Sequence, residues 1–459
     1  MRFDAAIGRR PRGGTLWAGI GVCMSALLAA WGAIALSGTK IGPAIALSVV
    51  FGPIALYGAI AAPLIFPFGI FLIAVPFDNL LAFSSFGTLT KILGIACAAA
   101  MILWLVRTKR FVVPDRSLLG WAAFVVFAVC SFGWAVDPVR GIPDVATLCS
   151  LFGLYAVVSF MPVDRRTLGI VAATIVAGGT LAGLYGGYLF HHGVAVSTDG
   201  RLAINAGSQS IDPNHFAAAL LVPLVLVLST IVESRNLRVR LAAAFCGAII
   251  VLGMLLAASR GAIVAAAVMY VYLLFRSQRR LVLAGIGIAA VSVGLAAFAN
   301  IAQRFSDAAA SGGAGRLGIW RVGLAAFKNH PLAGAGLGNF ALAYNDAFLT
   351  VPAFASMKVI EGARWNVAPH NNLIWIAVEL GTIGLLAYLG AWWLQFRALR
   401  AIVPGNNLYP MRIAVEAALV GQFTAGLFLG TVTYKYVWLA FMLAALTRNA
   451  AYCAERRVS

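Results

Sequence analysis

The sequence predicts an all-α polytopic membrane protein, and three observations carry that prediction. Of 459 residues, 62% are hydrophobic and only 11% charged, whereas a soluble domain runs at roughly 45–50% and about 25%. The apolar residues form continuous runs of about 20, the length that crosses a hydrocarbon layer as a helix, and they do not alternate as barrel strands do. The basic residues fall in short clusters between those runs, so the formal charge of +19 reads as membrane topology. It does not read as a nucleic-acid surface.

Taken in order, the chain opens with Arg9, Arg10 and Arg12 ahead of an apolar run. That run exceeds the roughly 7–15 residues of a signal-peptide core and more spans follow, so it reads as an uncleaved first helix. Spans are expected near 15–37, 42–61, 63–83, 88–106, 117–134, 145–161, 167–190, 215–232, 241–258, 260–275, 281–300, 371–396, 411–430 and 434–450. The second and third are joined by almost nothing and the last two by a short turn, so the expectation is twelve to fourteen helices of roughly 20 residues. The chain then divides into transmembrane helices with short loops over 1–300, one large loop with an amphipathic helix over 301–369, and C-terminal transmembrane helices over 370–459. Six cysteines without a CxxC pair indicate neither a disulfide framework nor a zinc site.

An even number of spans puts both termini on one side. That side collects most of the 34 basic residues, in clusters such as Arg107/Lys109/Arg110/Arg116, Arg235/Arg238/Arg240 and Arg276/Arg279/Arg280. The positive-inside rule therefore places both termini in the cytoplasm and the 301–369 loop on the outer face.

The outer face gathers the polar residues with chemical capacity. A loop near 192–214 carries Arg201, Asp212 and Asn214, and Arg260 heads a helix after Ser259. The turn SGGAG precedes RLGIWRVGLAAF, which places Arg316 in a first helical turn and Arg321 five residues on. Helix N-termini favour anions and slightly disfavour cations, so an arginine there points to an anionic partner. The alternative is an interfacial helix with snorkelling arginines and an apolar stripe of Leu317, Trp320, Leu324 and Phe327. No Gly-Lys-Ser/Thr follows, so this is not a P-loop. His370 opens an apolar helix that Asn371 or Asn372 could cap, and histidine is the usual proton acceptor near neutral pH. The remaining histidines, at 191, 192, 215 and 330, have no metal-ligand spacing. Asp78, Lys91, Glu379, Glu416 and Lys435 lie in or near spans, where such charges are either functional or paired.

These features resemble the O-antigen ligase and polysaccharide polymerase family of bacterial inner membranes. The resemblance rests on Arg201 with Asp212-Pro213-Asn214, Ser259-Arg260-Gly261, Gly315-Arg316 with Ile319-Trp320, His330-Pro331-Leu332 with Gly334 and Gly336, and His370-Asn371 with Glu379-Leu380-Gly381. It covers about residues 200–385, and the N-terminal half resembles the family only in hydropathy. It implies a GT-C-like, metal-independent, inverting glycosyltransferase without a cofactor. The donor would be an undecaprenyl-pyrophosphate-linked glycan and the acceptor lipid A-core, with the active site facing the periplasm. In that reading Arg201, Arg260, Arg316 and Arg321 hold the pyrophosphate, with Arg304 and Arg364 as alternates. His370 activates the acceptor, and Asn371, Asp212, Asn214 and Glu379 support the site. A polymerase joining lipid-linked repeats uses the same donor and is a close alternative, the ligase being slightly favoured by the single, helix-bearing outer loop. A lipid-linked sugar flippase is the rival from another class, against which stand the one-sided polar residues and the lack of internal symmetry.

Overall fold

The computed structural model describes residues 56–83, 87–194, 197, 200–202, 204–206, 209–297, 316–352, 354 and 367–458. The expected span 15–37, most of 42–61, the SGGAG turn, Arg304 and Arg364 lie outside the described residues. What is described is an all-α membrane protein, with eight helices long and apolar enough to cross a bilayer.

The elements run as follows. A short helix α1 (Phe68–Ala74) precedes α2 (Leu89–Thr108), α3 (Arg116–Cys130), α4 (Pro138–Phe160) and α5 (Arg165–His191). Then come α6 (Pro213–Ala219) and α7 (Leu221–Glu233), which together make one span, followed by α8 (Leu237–Ala257), α9 (Arg260–Arg276) and α10 (Arg280–Ala297). Beyond these lie α11 (Arg316–Asn329), α12 (Phe340–Phe348), α13 (Asn372–Leu399), α14 (Tyr409–Gly426) and α15 (Lys435–Val458). The α6–α7 and α15 spans are the most enclosed, each 78% buried, and the others pack around them. Two-residue strand pairs at 82–83/87–88 and 205–206/209–210 are the strand pairings of the described residues.

Two expected spans are reshaped by proline. The span expected at 63–83 is the seven-residue α1 continued by a 3-10 turn over Val75–Leu81. Pro76 supplies no N–H to the helical ladder and clashes with the preceding turn, which ends the α-helix at Ala74. The span expected at 215–232 divides at Leu220, where the ring of Pro223, four residues after Ala219, would crowd the Ala219 carbonyl.

The span expected at 371–396 is continuous in sequence and broken in structure. Gly381 has φ 65° and ψ −166°, inside what would otherwise be one helix. The break exposes backbone groups that an unbroken helix would pair internally, and the segment 331–340 meets them. Thr382 and Ile383 N–H donate to the Pro331 and Leu332 carbonyls at 2.9 and 3.2 Å. Ala335 and Gly336 N–H donate to the Val378 and Glu379 carbonyls at 2.9 and 2.8 Å. The Glu379 carboxylate accepts from Gly338 N–H (2.9 Å) and Phe340 N–H (2.8 Å), which fixes the start of α12. The contact leaves no space for side chains: a Cβ on Gly334 would lie 2.3 Å from Glu379 backbone, and one on Gly381 2.2 Å from the Leu332 carbonyl oxygen.

Of the charges expected in or near spans, Asp78, Lys435 and Glu416 prove to be paired. Lys435 donates to both Asp78 oxygens, at 2.7 and 2.6 Å, and Thr90 also donates to that carboxylate. Glu416 accepts from Arg412 Nε (2.8 Å) and from the Tyr272 hydroxyl (2.9 Å). Gln395, in the aromatic core, is likewise satisfied, accepting from Tyr155 (2.9 Å) and Trp121 (3.3 Å). Such pairing is what an apolar surround demands of each polar group.

Gly381→Ala is expected to destabilise the protein by about 3 kcal/mol or more, since it adds a glycine-only conformation to a backbone clash. Thermal unfolding in detergent should show a lowered midpoint, and an unchanged midpoint would mean the break is not required. Lys435→Met alone should destabilise more than the Lys435→Met/Asp78→Leu pair, because a lone buried carboxylate costs about 3–5 kcal/mol and an apolar pair does not.

Candidate functional site

The residues singled out in the outer loops converge at one end of the bundle, where four helices begin. Each start has a reason in the sequence. Asp212 caps α6, its Oδ1 accepting from Asn214 N–H (2.7 Å) and His215 N–H (3.3 Å). Ser259 caps α9 by accepting from Ala262 N–H, so Arg260 is its first residue. Arg316 is the first residue of α11. Asn371, rather than Asn372, caps α13, accepting from Leu373 and Ile374 N–H at 2.9 and 3.1 Å. Asn372 turns inward instead and binds Thr431 and Tyr388.

Arg201 is anchored by the end of α8. That helix closes on Ala258, at φ 45°, which leaves its last carbonyls outside the helical ladder. Arg201 Nε donates to the Ala257 carbonyl (3.0 Å), Leu202 N–H donates to that of Leu256 (2.9 Å), and Arg201 Nη2 donates to Asn214 Oδ1 (2.8 Å). A guanidinium so gripped holds its charge in a fixed place between α6 and α8.

The charges act on one another. Burial lowers the pKa of Arg316, and the cations Arg260 and Arg201 lower it further, while Asp212 opposes them. Burial likewise pushes the His370 imidazole below its usual 6.5; Arg316 adds to that, and Asp212 opposes it. Three guanidinium groups and the positive ends of α6, α9, α11 and α13 thus meet, with Asp212 the carboxylate that acts on both Arg316 and His370. Such a place attracts an anion and keeps a histidine neutral near pH 7.

His370 has φ 48°, a left-handed conformation costing about 1–2 kcal/mol for a residue with a Cβ. It is held on both sides. Trp320 Nε1 donates to the Pro369 carbonyl (3.2 Å), and Asn371 Nδ2 donates to the Leu427 carbonyl (3.1 Å).

Not every expected residue joins the cluster. Arg321 is exposed, and it is not among the charges acting on Arg316. Glu379, expected to support the site, has its carboxylate engaged with the start of α12. The apolar stripe of α11 is also shifted: Leu317 and Leu324 are exposed, whereas Val322, Gly323 and Ala326 are buried. Those small residues let α11 approach α13 closely; a Cβ on Gly323 would lie 2.7 Å from the Ile374 side chain.

The sequence reading passed over His215, Tyr434 and Tyr436. His215 follows Asn214 on α6, its ring lies parallel on Tyr434 at 3.9 Å, and its Nδ1 is 2.8 Å from the Tyr436 hydroxyl. Burial, followed by Asp212, pushes the Tyr434 phenol up to about 12. The only local signal was that His215 stands three residues after Asp212; a search for metal spacing could not register a histidine paired with tyrosines at the distant start of α15. Among the described residues, no group of three His, Cys, Asp or Glu side chains is arranged to hold a metal ion.

Comparison with known families matches residues 245–389 to the family model described as O-antigen ligase. The matched stretch runs from within α8 into α13 and includes Arg260, Arg316, Arg321, His370, Asn371 and Glu379, while Arg201, Asp212 and Asn214 precede it. The match supports the O-antigen ligase family, and with it a membrane glycosyltransferase of the ligase or polymerase type. The comparison with curated proteins finds no match.

His370 should titrate below 6.5, and the two neighbours should move it in opposite directions. Arg316→Gln removes a cation and should raise the midpoint. Asp212→Asn, which keeps a helix-capping side chain, removes an anion and should lower it. The pH dependence of imidazole modification by diethyl pyrocarbonate measures all three.

Proposed function

We propose that the protein transfers a glycan from undecaprenyl pyrophosphate to an acceptor hydroxyl at the outer face of the bacterial inner membrane, lipid A-core being the acceptor. The observation that carries this is the meeting of Arg201, Arg260 and Arg316 with His370 around Asp212 at one end of the bundle. The family match adds the reaction type.

The chemistry follows from the charges. A lipid pyrophosphate leaves as a multiply charged anion, and guanidinium groups bind such oxygens bidentately while staying charged at any working pH. Fixed cations and helix N-termini stabilise the charge developing on the leaving oxygen without needing to reorganise. The acceptor oxygen attacks the anomeric carbon from the face opposite the pyrophosphate. The new C–O bond forms as the old one breaks, the electron pair departs with the pyrophosphate, and the acceptor's proton passes to the neutral imidazole of His370. One such displacement inverts the anomeric centre. Asp212 offsets the charge that His370 then carries.

The test is a transfer assay in reconstituted vesicles containing EDTA, with lipid A-core and a second lipid-linked repeat as competing acceptors. Product on lipid A-core is expected. Lengthened lipid-linked glycan would make the protein a polymerase with the same site, and lipid crossing the bilayer without transfer would make it a flippase. His370→Ala is expected to reduce transfer by about 10²–10⁴-fold. Arg316→Lys should reduce it by at least about tenfold, because an ammonium keeps the charge and loses the bidentate geometry. Transfer that survives in the His370 variant would remove the proposed base.

The pH profile has a definite sign. The base works when neutral, and its folded-state pKa lies below 6.5. Activity should therefore hold as pH falls through 6.5 and fail only at lower pH; loss of activity at or above 6.5 would contradict the assignment.

A further inference from the structure

A second charged concavity lies at the other end of the bundle. Helix α9 begins with Arg260 in the candidate site and ends with Arg276. At 1.5 Å per residue its length separates the two ends by about 25 Å. Arg276 lines a groove of ≈ 770 Å³ together with Arg165, at the start of α5, and Arg235, in the turn after α7.

The groove is not electrically balanced. Glu233 is the carboxylate in its lining. Beneath it, Glu416 is 2.8 Å from Arg412 Nε and 3.7 Å from Arg276 Nη2, so one carboxylate serves two guanidinium groups. The groove and the network under it thus set four arginines (165, 235, 276 and 412) against two glutamates (233 and 416). The wall changes character with depth. Leu168 and Leu273 lie one turn inward from Arg165 and Arg276 and are buried, the half-buried Pro410 and Met411 add apolar lining, and Ser277 and Asn406 stand at the level of the loops. A polar, cationic mouth over an apolar floor, at the edge of a bilayer, matches a phosphate headgroup carrying acyl chains. A soluble anion would have no use for the floor.

We propose that this groove binds the phosphodiester headgroup of an anionic membrane lipid. The site is distinct from the candidate transfer site and does not depend on the glycan-transfer reading. By the distribution of basic residues it belongs to the cytoplasmic leaflet, the leaflet in which such a lipid would reach it.

The test is lipid retention in native mass spectrometry, with thermal shift in parallel, on the full-length protein in detergent. The probes are phosphatidylglycerol, phosphatidylcholine and inorganic phosphate. The variants are Arg165→Gln/Arg235→Gln, whose side chains are exposed, and Glu233→Gln. Wild type should retain phosphatidylglycerol over phosphatidylcholine and gain thermal stability from it. The double variant should bind it on the order of tenfold more weakly at low salt, while Glu233→Gln should bind it more tightly. The double variant should melt at the wild-type temperature without lipid, which separates lost binding from lost fold. Equal retention of both lipids, or equal retention by wild type and double variant, would overturn the proposal. A stabilisation by inorganic phosphate equal to that by lipid, absent in the double variant, would overturn the lipid assignment in favour of a soluble phosphate.

Discussion

Every backbone N–H and C=O within an apolar bundle must find a partner, and this fold turns on how that constraint is met at Gly381. Breaking a membrane helix there would strand several backbone groups, each costing about 1–3 kcal/mol if left unpaired. The segment 331–340 supplies the partners, and Glu379 supplies two more acceptors to the same segment. The glycines at 334, 336 and 338 all adopt positive φ, which lets this segment lie flat against the broken helix. α11 and α12 are thereby fixed to α13, and so is Arg316 relative to His370.

The site end of the bundle is assembled from groups that repel one another. Three arginines near four helix N-termini is an unfavourable arrangement by itself, and it persists because each member is separately anchored. Arg201 is gripped by the end of α8 and by Asn214, Arg260 follows a capped turn with Ala258 in the left-handed region, and Arg316 rides on α11. Asp212 serves as both helix cap and counter-charge. An anion entering such a site finds its cations already oriented, so little of the interaction is lost in reorganisation.

The opposite end treats charge differently. There a carboxylate is matched directly to a cation, as in Glu416 with Arg412. The Glu416 network carries more guanidinium than carboxylate and opens on the groove between α5, α7 and α9. The two ends therefore differ in kind: one presents anchored, mutually repelling cations beside a neutral histidine, and the other an interfacial groove with a surplus of positive charge.

Much of this was legible in the sequence. Hydropathy alone determined the all-α membrane class, because a 20-residue apolar run has few other stable fates, and most described spans lie where the runs do. Residue type and side of the membrane also singled out Arg201, Arg260, Arg316 and His370, since ionisable groups at a bilayer surface have few structural reasons to collect on one face. What the sequence did not determine was anything that depends on contacts between distant segments. It marked Gly381 and the glycines at 334–338 as a pattern, but only the fold showed them meeting. It named Arg321 beside Arg316, but only helix rotation decided that one turns toward the cluster and the other to solvent. It passed over His215, whose partners lie at the start of a helix more than two hundred residues away. Local sequence carries periodicity, capping and charge; pairing across the bundle depends on which faces end up opposed, and that was decided by tertiary structure.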